Sequence, residues 1–317
     1  MKVLVTGAAG FIGSAVVKTL SAAGVEVVGV DALLGGLYPA IEKQQRFEEL
    51  QDSLGKNLFQ LDLRSDDLSA LPANITHVIN EAAMPGLGLS WQDFDLYASC
   101  NLTATARLIE AAHAWSLQKF VQISTSSVYG KNAAGDESLP LAPVSPYGVT
   151  KLAAENLVQA YWRDSGLPGV ILRYFSVYGP GQRPDMAYRK FIDLALQGQP
   201  IDLYGSGEQT RSNTYIDDCV SATIGALSNG VPGEIYNISG AAERSINDAL
   251  SIIQENTGRP LAINHLPAAR GDQARTMGDT SKAQRELGFR HSVTLEEGLA
   301  AQVSWQRGLL GVPEPVV

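Results

Sequence analysis

The residues best suited to proton transfer form a short series in the middle of this 317-residue chain. An apolar segment, 120–123, runs into the hydroxyl cluster 124–127, and Tyr147 and Lys151 follow further along. Pro146 predicts that Tyr147 lies in the first turn of a helix, where side chains four residues apart face the same side. A cation beside a phenol favours the phenolate, so we expect Lys151 to lower the pKa of Tyr147 toward that of a general base.

A glycine-rich turn stands near the N-terminus, directly behind the apolar residues 3–5. Gly7 permits a tight strand-to-helix turn, Gly10 lets the backbone approach a pyrophosphate, and Gly13 lets the following helix pack closely on the strand. The next apolar segment ends at Asp31, where a carboxylate would bind ribose hydroxyls and repel the 2′-phosphate of NADP. These features together predict NAD binding, although the glycines alone would also fit a structural turn that binds nothing.

The elements that must position these residues follow an alternating pattern of strands and helices, which predicts a parallel sheet. The predicted strands lie near 2–6, 25–30, 57–61, 76–80, 119–124 and 169–174. The predicted helices lie near 11–23, 91–115 and 146–165. We therefore expect an α/β fold with a Rossmann-type doubly wound parallel sheet. Residues 1–175 would form the NAD-binding domain, and 176–317 a smaller C-terminal α/β substrate lobe with some segments returning to the sheet.

Taken singly, the hydroxyl cluster and the Tyr-Lys pair also have structural explanations. Ser and Thr side chains often satisfy backbone groups at strand ends, and Tyr-x-x-x-Lys is a common surface pairing on helices. The order of the motifs favours an active site, because the glycine turn, the hydroxyl cluster and the Tyr-Lys helix are spaced to reach one edge of one sheet.

Composition narrows the class of protein further. The net charge of −9 argues against a nucleic-acid surface. Cys100 and Cys219 lie in amphipathic patterns that favour buried thiols over a disulfide or a metal site, and the four histidines show no metal-ligand spacing. The chain has no basic leader and no apolar run of membrane-spanning length, so we expect a cytoplasmic protein without membrane contact.

The whole chain resembles the extended short-chain dehydrogenase/reductase superfamily, in its nucleotide-sugar epimerase and dehydratase branch. Besides the residues above, the resemblance rests on Asp62-Leu63, Ala82-Ala83, Asn101 and the segment 172–180. It implies that Asp62 and Leu63 contact adenine, that Ala82 and Ala83 line the cofactor's path, and that Lys151 holds the nicotinamide ribose. The full set of cofactor residues that it implies is Gly7, Gly10, Phe11, Ile12, Gly13, Asp31, Asp62, Leu63, Ala82, Ala83, Asn101, Tyr147, Lys151 and Tyr174.

The resemblance also implies a UDP-sugar substrate. Thr125 would hydrogen-bond the sugar O4, Tyr147 would be the base, and Arg211 and Arg270 would grip the diphosphate through bidentate donors. The catalytic residues expected from it are Thr125, Tyr147 and Lys151. The expected substrate contacts are Thr125, Ser126, Ser127, Ser176, Arg183, Arg211, Arg270 and Asp272. An isolated arginine could equally pair with a surface carboxylate.

Ser126-Ser127 stand where dehydratases of this branch carry Asp-Glu and decarboxylases a Glu. Without those carboxylates a C4 epimerisation through a 4-keto intermediate is the simpler outcome. The nearest resemblance is to bacterial UDP-glucuronate 4-epimerases, with Arg183 and Ser176 as candidates to hold the uronate carboxylate; the competing explanation for Arg183 is a structural ion pair.

Two features of the sequence depart from that pattern. Leu87-Gly88 lack the cation found in relatives, and Glu81 adds a carboxylate ahead of the cofactor-lining alanines. UDP-glucose/UDP-galactose 4-epimerisation therefore stays open, as do, less favourably, a UDP-glucuronate decarboxylase and a non-catalytic NAD-binding regulator. The resemblance also implies a homodimer formed by the helices near 91–115 and 146–165.

Overall fold

The computed structural model describes residues 1–267 and 273–313. Its strands, in chain order, are β1 (Lys2–Thr6), β2 (Glu26–Asp31), β3 (Leu58–Gln60), β4 (His77–Asn80), β5 (Lys119–Thr125), β6 (Asn132–Gly135), β7 (Gly169–Tyr174), β8 (Val177–Tyr178), β9 (Ile201–Tyr204), β10 (Thr210–Arg211), β11 (Thr214–Tyr215), β12 (Ile235–Ile238), β13 (Arg244–Ser245), β14 (Ile263–Leu266) and β15 (Arg275–Gly278). Its helices are α1 (Phe11–Ala22), α2 (Ile41–Leu54), α3 (Phe94–Ala98), α4 (Ala104–Ala112), α5 (Pro146–Ser165), α6 (Ala187–Gln197), α7 (Ile216–Asn229), α8 (Ile246–Thr257), α9 (Ser281–Leu287) and α10 (Leu295–Leu310).

Seven strands form the central sheet in the order β12-β7-β5-β4-β1-β2-β3, and every neighbouring pair is parallel. Side chains alternate between its two faces, so Val3 and Val5 join the core cluster that contains α1 and α7, whereas Leu4 joins the cluster that contains α4 and α5. Burial on both faces explains why most positions along the central strands are apolar. The predicted Rossmann-type doubly wound α/β sheet is confirmed.

The second half of the chain is joined closely to the first. Strand β12 pairs with β7 at the edge of the main sheet, and α7 packs against α1 in one shared core. The segment also builds a four-stranded sheet, β13-β10-β15-β6, in which β6 comes from the first half. The second half of the chain therefore rests on the same core as the glycine-rich turn.

Two local features differ from the sequence expectations. Helix α2 was not predicted; only Leu50 and Leu54 of its residues are buried, so its apolar pattern is weak. The predicted helix near 91–115 is divided by a π-helical turn, Ser99–Thr103, between α3 and α4. None of the helices in the described ranges is long and apolar enough to cross a membrane.

Candidate active site

A cavity of about 770 Å³ opens at the carboxyl ends of the central strands. Parallel α/β sheets place their ligands at this edge, beside the strand where the order reverses, which here is β1 between β2 and β4. The predicted cofactor residues that line it are Gly7, Gly10, Phe11, Ile12, Gly13, Asp31, Asp62, Leu63, Ala82, Ala83, Tyr147, Lys151 and Tyr174. The predicted substrate residues that line it are Thr125, Ser126, Ser127, Ser176, Arg183 and Arg211. Arg270 and Asp272 lie outside the described residues.

The glycine turn has the geometry that a pyrophosphate needs. Gly7 has φ +65°, and a Cβ on Gly13 would lie 2.1 Å from the carbonyl oxygen of Gly7. Helix α1 starts after Gly10 with no acidic residue in its first turn, so its N-terminal amide groups face the cavity side without a competing carboxylate. Any larger residue at Gly13 would break the close contact between helix α1 and the turn. The amide groups at the start of α1 are the feature that fits a dinucleotide phosphate.

Asp31 ends β2 with its carboxylate buried, 8% exposed. Its Oδ2 accepts a hydrogen bond from the amide of Ala9 at 3.0 Å, and its Oδ1 accepts one from the amide of Leu33 at 2.8 Å. Burial raises the pKa of Asp31, and these two bonds and the charge of Lys43 oppose that rise. Asp31 therefore braces the glycine turn and also lines the cavity.

Asp62 lies further along the same wall and forms a two-point pair with Arg64, with Arg64 Nη2 2.7 Å from Oδ2. The Arg64 guanidinium lowers the pKa of the Asp62 carboxyl. Across the cavity the amide of Ala82 donates to Thr6 Oγ1 at 3.1 Å, which fixes the cofactor-side backbone after β4.

Asn101 does not line the cavity, in contrast to its expected cofactor contact. It is 1% exposed in the π-helical turn, where its Oδ1 accepts from the amide of Met84 at 2.7 Å. Its amide nitrogen donates to the carbonyl oxygen of Met84 at 3.1 Å and to Thr150 Oγ1 at 3.0 Å. Both of its polar groups face the protein, so Asn101 joins the loop after β4 to helix α5.

Thr125, Tyr147 and Lys151 meet at one end of the cavity. Thr125 is the last residue of β5, and Tyr147 lies in the first turn of α5, whose N-cap Ser145 accepts from the amide of Gly148 at 3.1 Å. The hydroxyl of Thr125 lies close enough to that of Tyr147 to lower the pKa of the phenol. The predicted juxtaposition of the hydroxyl strand end with the Tyr-Lys helix is therefore present.

The expected lowering of the Tyr147 pKa is wrong for the protein alone. Burial raises the pKa of Tyr147, and this outweighs the lowering by Thr125 and by the charge of Arg183. Lys151 is itself 3% exposed, and burial lowers its pKa to about 8 even though Glu81 and Glu155 oppose that fall. The helical spacing predicted correctly that both side chains line the cavity, but it did not include the free-energy cost of removing both groups from water.

The hydroxyls beyond Thr125 are held by a residue that the sequence did not single out. Gln273 lines the cavity, accepts from Ser126 Oγ at 3.2 Å and donates to the carbonyl oxygen of Gly130 at 2.7 Å. Ser127 donates its amide to Thr125 Oγ1 at 3.2 Å. Gln273 directly follows the Arg270-Gly271-Asp272 motif, which was the available signal.

Arg183 and Arg211 bring positive charge to the substrate side. Arg183 forms a two-point ion pair with Asp185, at 2.9 Å from Nε to Oδ1 and 2.8 Å from Nη2 to Oδ2. The structural pair foreseen as its alternative is thus present, yet Arg183 still lines the cavity and acts electrostatically on Tyr147. Arg211 is 9% exposed and donates to the carbonyl oxygen of Thr210 at 2.8 Å.

A buried polar network supports this end of the sheet from below. Glu155 of α5 pairs with Arg173 of β7 at 2.7 Å, with side-chain exposures of 2% and 1%. Arg173 Nη1 donates to the hydroxyl of Tyr129 at 2.9 Å, and that hydroxyl donates to Asn237 Oδ1 at 2.7 Å. Ser124, next to Thr125, donates to Glu155. The network ties β5, β7, β12 and α5 together behind Thr125, Tyr147 and Lys151.

The fold and the cavity together define a class of protein: a dinucleotide-binding α/β protein with a Thr-Tyr-Lys site at the end of the same cavity. Comparison with known proteins narrows this class. Residues 3–239 match the model of the NAD dependent epimerase/dehydratase family, and the chain belongs to that family.

Three similar proteins are informative. An uncharacterised UDP-glucose epimerase of Bacillus subtilis strain 168 is 39% identical over 315 residues, covering 98% of this chain and 99% of its own. A UDP-glucuronate 4-epimerase of Thermodesulfobacterium geofontis is 36% identical over 312 residues, covering 96% and 95%. The crystal structure of the Bacillus cereus UDP-glucuronic acid 4-epimerase with UDP-glucuronic acid and NAD superposes with a TM-score of 0.93 at 41% identity, covering 98% of this chain and 100% of that one.

Proposed function

We propose that this protein is an NAD-dependent UDP-glucuronate 4-epimerase that interconverts UDP-glucuronate and UDP-galacturonate. The observation that carries the proposal is the joint position of Thr125, Tyr147, Lys151 and Arg183 around one cavity that contains the dinucleotide turn. The likeness to the Bacillus cereus enzyme over nearly the whole chain supports it. Ser126-Ser127 support an epimerase over a dehydratase or decarboxylase, because no carboxylate stands there.

Each residue has a definite task in this reaction. Thr125 orients the sugar O4, and Tyr147 removes the O4 proton as C4 becomes a ketone, then returns the proton after the sugar has turned over. Lys151 holds the nicotinamide ribose and, while protonated, favours the phenolate of Tyr147. Bound NAD would supply reversible hydride transfer at C4, so that the epimerisation involves no net oxidation.

The uronate substrate imposes a further requirement. Its 4-keto form is a β-keto acid, which loses CO₂ unless the carboxylate is held in an orientation unfavourable to cleavage. Arg183 and the exposed Ser176 line the substrate side and are the proposed holders. Asp185 keeps Nε and Nη2 of Arg183 engaged, which leaves Nη1 as the donor best placed to reach a carboxylate.

The same pair gives a reason to test UDP-glucose as a second substrate. Asp185 already neutralises Arg183, and Leu87 and Gly88 on the cavity wall bring no charge. A neutral hexose has no carboxylate, so its binding would need no unpaired cation in the cavity. The Bacillus subtilis relative bears the name of a UDP-glucose epimerase.

The deciding experiment is to incubate the purified protein, without added NAD, with UDP-glucuronate and separately with UDP-glucose. Products are separated by chromatography and identified by proton NMR. UDP-galacturonate without CO₂ supports the uronate assignment. UDP-galactose from UDP-glucose alone would replace it with the neutral-hexose function, and turnover of neither would leave a non-catalytic NAD-binding protein.

We also propose a homodimer formed through α3 and α5. Phe94 of α3 and Val149 of α5 are 49% and 46% exposed, and Trp91 beside them is 40% exposed. Apolar side chains grouped on neighbouring elements are typical of subunit interfaces. Sedimentation at micromolar concentration tests this, and a monomer there would overturn it.

The cytoplasmic location stays a prediction from the sequence.

A further inference from the structure

One buried carboxylate at the catalytic end of the cavity has no task in the proposed mechanism. Glu81 follows β4 directly and lines the cavity, and its Oε2 is buried without a hydrogen-bond partner among the described residues. An unpaired buried carboxylate oxygen costs free energy, so it calls for a proton or a ligand that satisfies it.

The backbone around Glu81 is fixed by its neighbours. Thr6 Oγ1 donates to Asn80 Oδ1 at 2.8 Å and accepts from the amide of Ala82 at 3.1 Å, so both flanking residues are tied to β1. A Cβ on Gly7 would lie 3.2 Å from the carbonyl carbon of Glu81. Glu81 therefore stands beside the nucleotide turn, at the strand where the sheet order reverses.

Titratable groups on three elements interact electrostatically with Glu81. They are Lys151 and Tyr147 of α5, Tyr174 at the end of β7, and Cys219 of α7. Burial raises the pKa of Glu81 to about 8, and the charge of Lys151 opposes that rise. Lys151 is the cation within this group. In the cofactor-free protein, burial therefore favours the protonated, neutral form of Glu81.

We propose that Glu81 ionises when the oxidised dinucleotide binds, and that its carboxylate selects the cationic oxidised nicotinamide over the neutral reduced one. Tyr147 acts at the sugar O4, so the ring that exchanges hydride with C4 has to lie within a few ångström of that end of the cavity. Glu81 lies at the same end, beside Lys151. The step moves one proton from Glu81 to solvent and transfers no electrons. This inference rests on the dinucleotide binding proposed above.

The consequence concerns the sugar during turnover. While the cofactor is reduced, the sugar is a ketone that can leave the site. A carboxylate that favours the oxidised cofactor shifts the bound equilibrium back toward the alcohol, and so shortens the time during which the ketone can escape. A leucine or amide at this position would lack that bias.

The test compares the affinities of the two cofactor forms in protein freed of cofactor. Glu81→Gln keeps the shape of the side chain and removes its charge. The control is Glu49→Gln on α2, whose carboxylate pairs with Lys18 at the surface and is 57% exposed. At pH 9 we expect Glu81→Gln to lower the ratio of the NADH to the NAD⁺ dissociation constant at least about tenfold. The control should leave the ratio unchanged.

A second measurement follows the proton. Calorimetry in two buffers of different ionisation enthalpy gives the protons released at pH 7 as each form binds. We expect wild type to release more protons with NAD⁺ than with NADH, and Glu81→Gln to reduce that difference, with Lys151 responsible for the remainder.

Three outcomes would contradict the inference, in different ways. If Glu81→Gln weakens both forms equally, Glu81 only supports the structure. If the variant does not fold, wild type decides, because a ratio that stays constant from pH 7 to 9 overturns the proposal. If wild type binds neither NAD⁺ nor NADH, the dinucleotide assignment itself is wrong. If wild type binds both and only the selectivity is missing, the role of Glu81 alone is wrong.

Discussion

At the residue scale, the hydroxyl of Tyr147 is the group on which the proposed chemistry depends. Tyr147→Phe removes it and keeps the ring, which packs edge-on against Tyr97 with 6.2 Å between centroids. Because a general base contributes on the order of 10²–10⁴ in rate, we expect turnover to fall by that factor while UDP-sugar and NAD binding persist. Proton NMR of the products and calorimetry measure the two effects. The control variant Tyr161→Phe on the same helix should leave turnover and binding unchanged. If Tyr147→Phe keeps full turnover, Tyr147 is not the base.

Arg183 determines the expected choice of substrate at the same scale. In Arg183→Gln the uronate loses a charge-assisted donor, so we expect turnover of UDP-glucuronate to fall tenfold or more and the share of CO₂ among its products to rise. Turnover of UDP-glucose should change little. Chromatography with CO₂ detection checks both, with the exposed Arg163→Gln as control. An equal loss on both substrates would mean that Arg183 and Asp185 only support the loop.

Glu81 also makes the stability of the cofactor-free protein depend on pH. Burial raises its pKa in the folded protein from the ordinary 4.5 to about 8, so between these values the unfolded chain releases a proton that the folded chain keeps. The Glu81 contribution to the free energy of unfolding is therefore lost as pH rises through that window. We expect the free energy of unfolding of Glu81→Gln to rise relative to that of wild type between pH 5.5 and 7.5, by at most about 2.7 kcal/mol. Urea unfolding measures this difference. If the difference in free energy of unfolding does not change with pH, the pKa of Glu81 is not raised.

At the scale of elements, the pair Glu155–Arg173 joins helix α5 to strand β7 behind the site. Arg173→Met leaves Glu155 buried without its counter-charge, and we expect it to lower the free energy of unfolding by about 3–5 kcal/mol. Adding Glu155→Leu should recover most of that loss, because two apolar side chains can replace a buried pair. Urea unfolding of the single and double variants measures this. The surface variant Lys18→Met should stay within about 1 kcal/mol of wild type, and an equally small loss in Arg173→Met would refute the argument.

The sequence predicted the position of an element correctly wherever a local hydrophobic pattern marks that element. Strands β1, β2, β5 and β7 lie within about a residue of the prediction, because burial on two faces makes most of their positions apolar. Helix α2 was missed because most of its residues face solvent, so its pattern carries little hydrophobic periodicity.

At the scale of the whole molecule, one hydrophobic core extends from β1 to α10 and includes α1, α7 and β12. We therefore expect the nucleotide side and the substrate side to unfold together. Far-ultraviolet circular dichroism and tryptophan fluorescence in urea should give one coincident transition. Two separated transitions would instead support the independent domains, 1–175 and 176–317, that the composition of the chain suggested.

The sequence by itself determined the glycine-rich turn, the parallel sheet, and the spacing by which Tyr147 and Lys151 of α5 both reach the cavity. These are decided within a few residues, by what a glycine permits and by the periods of strand and helix. Only the tertiary structure decided that β12 completes the sheet and that Gln273 holds Ser126. It also decided the ionisation of the site: burial raises the pKa of Tyr147, because loss of water depends on every element that closes over a group, which no local motif encodes.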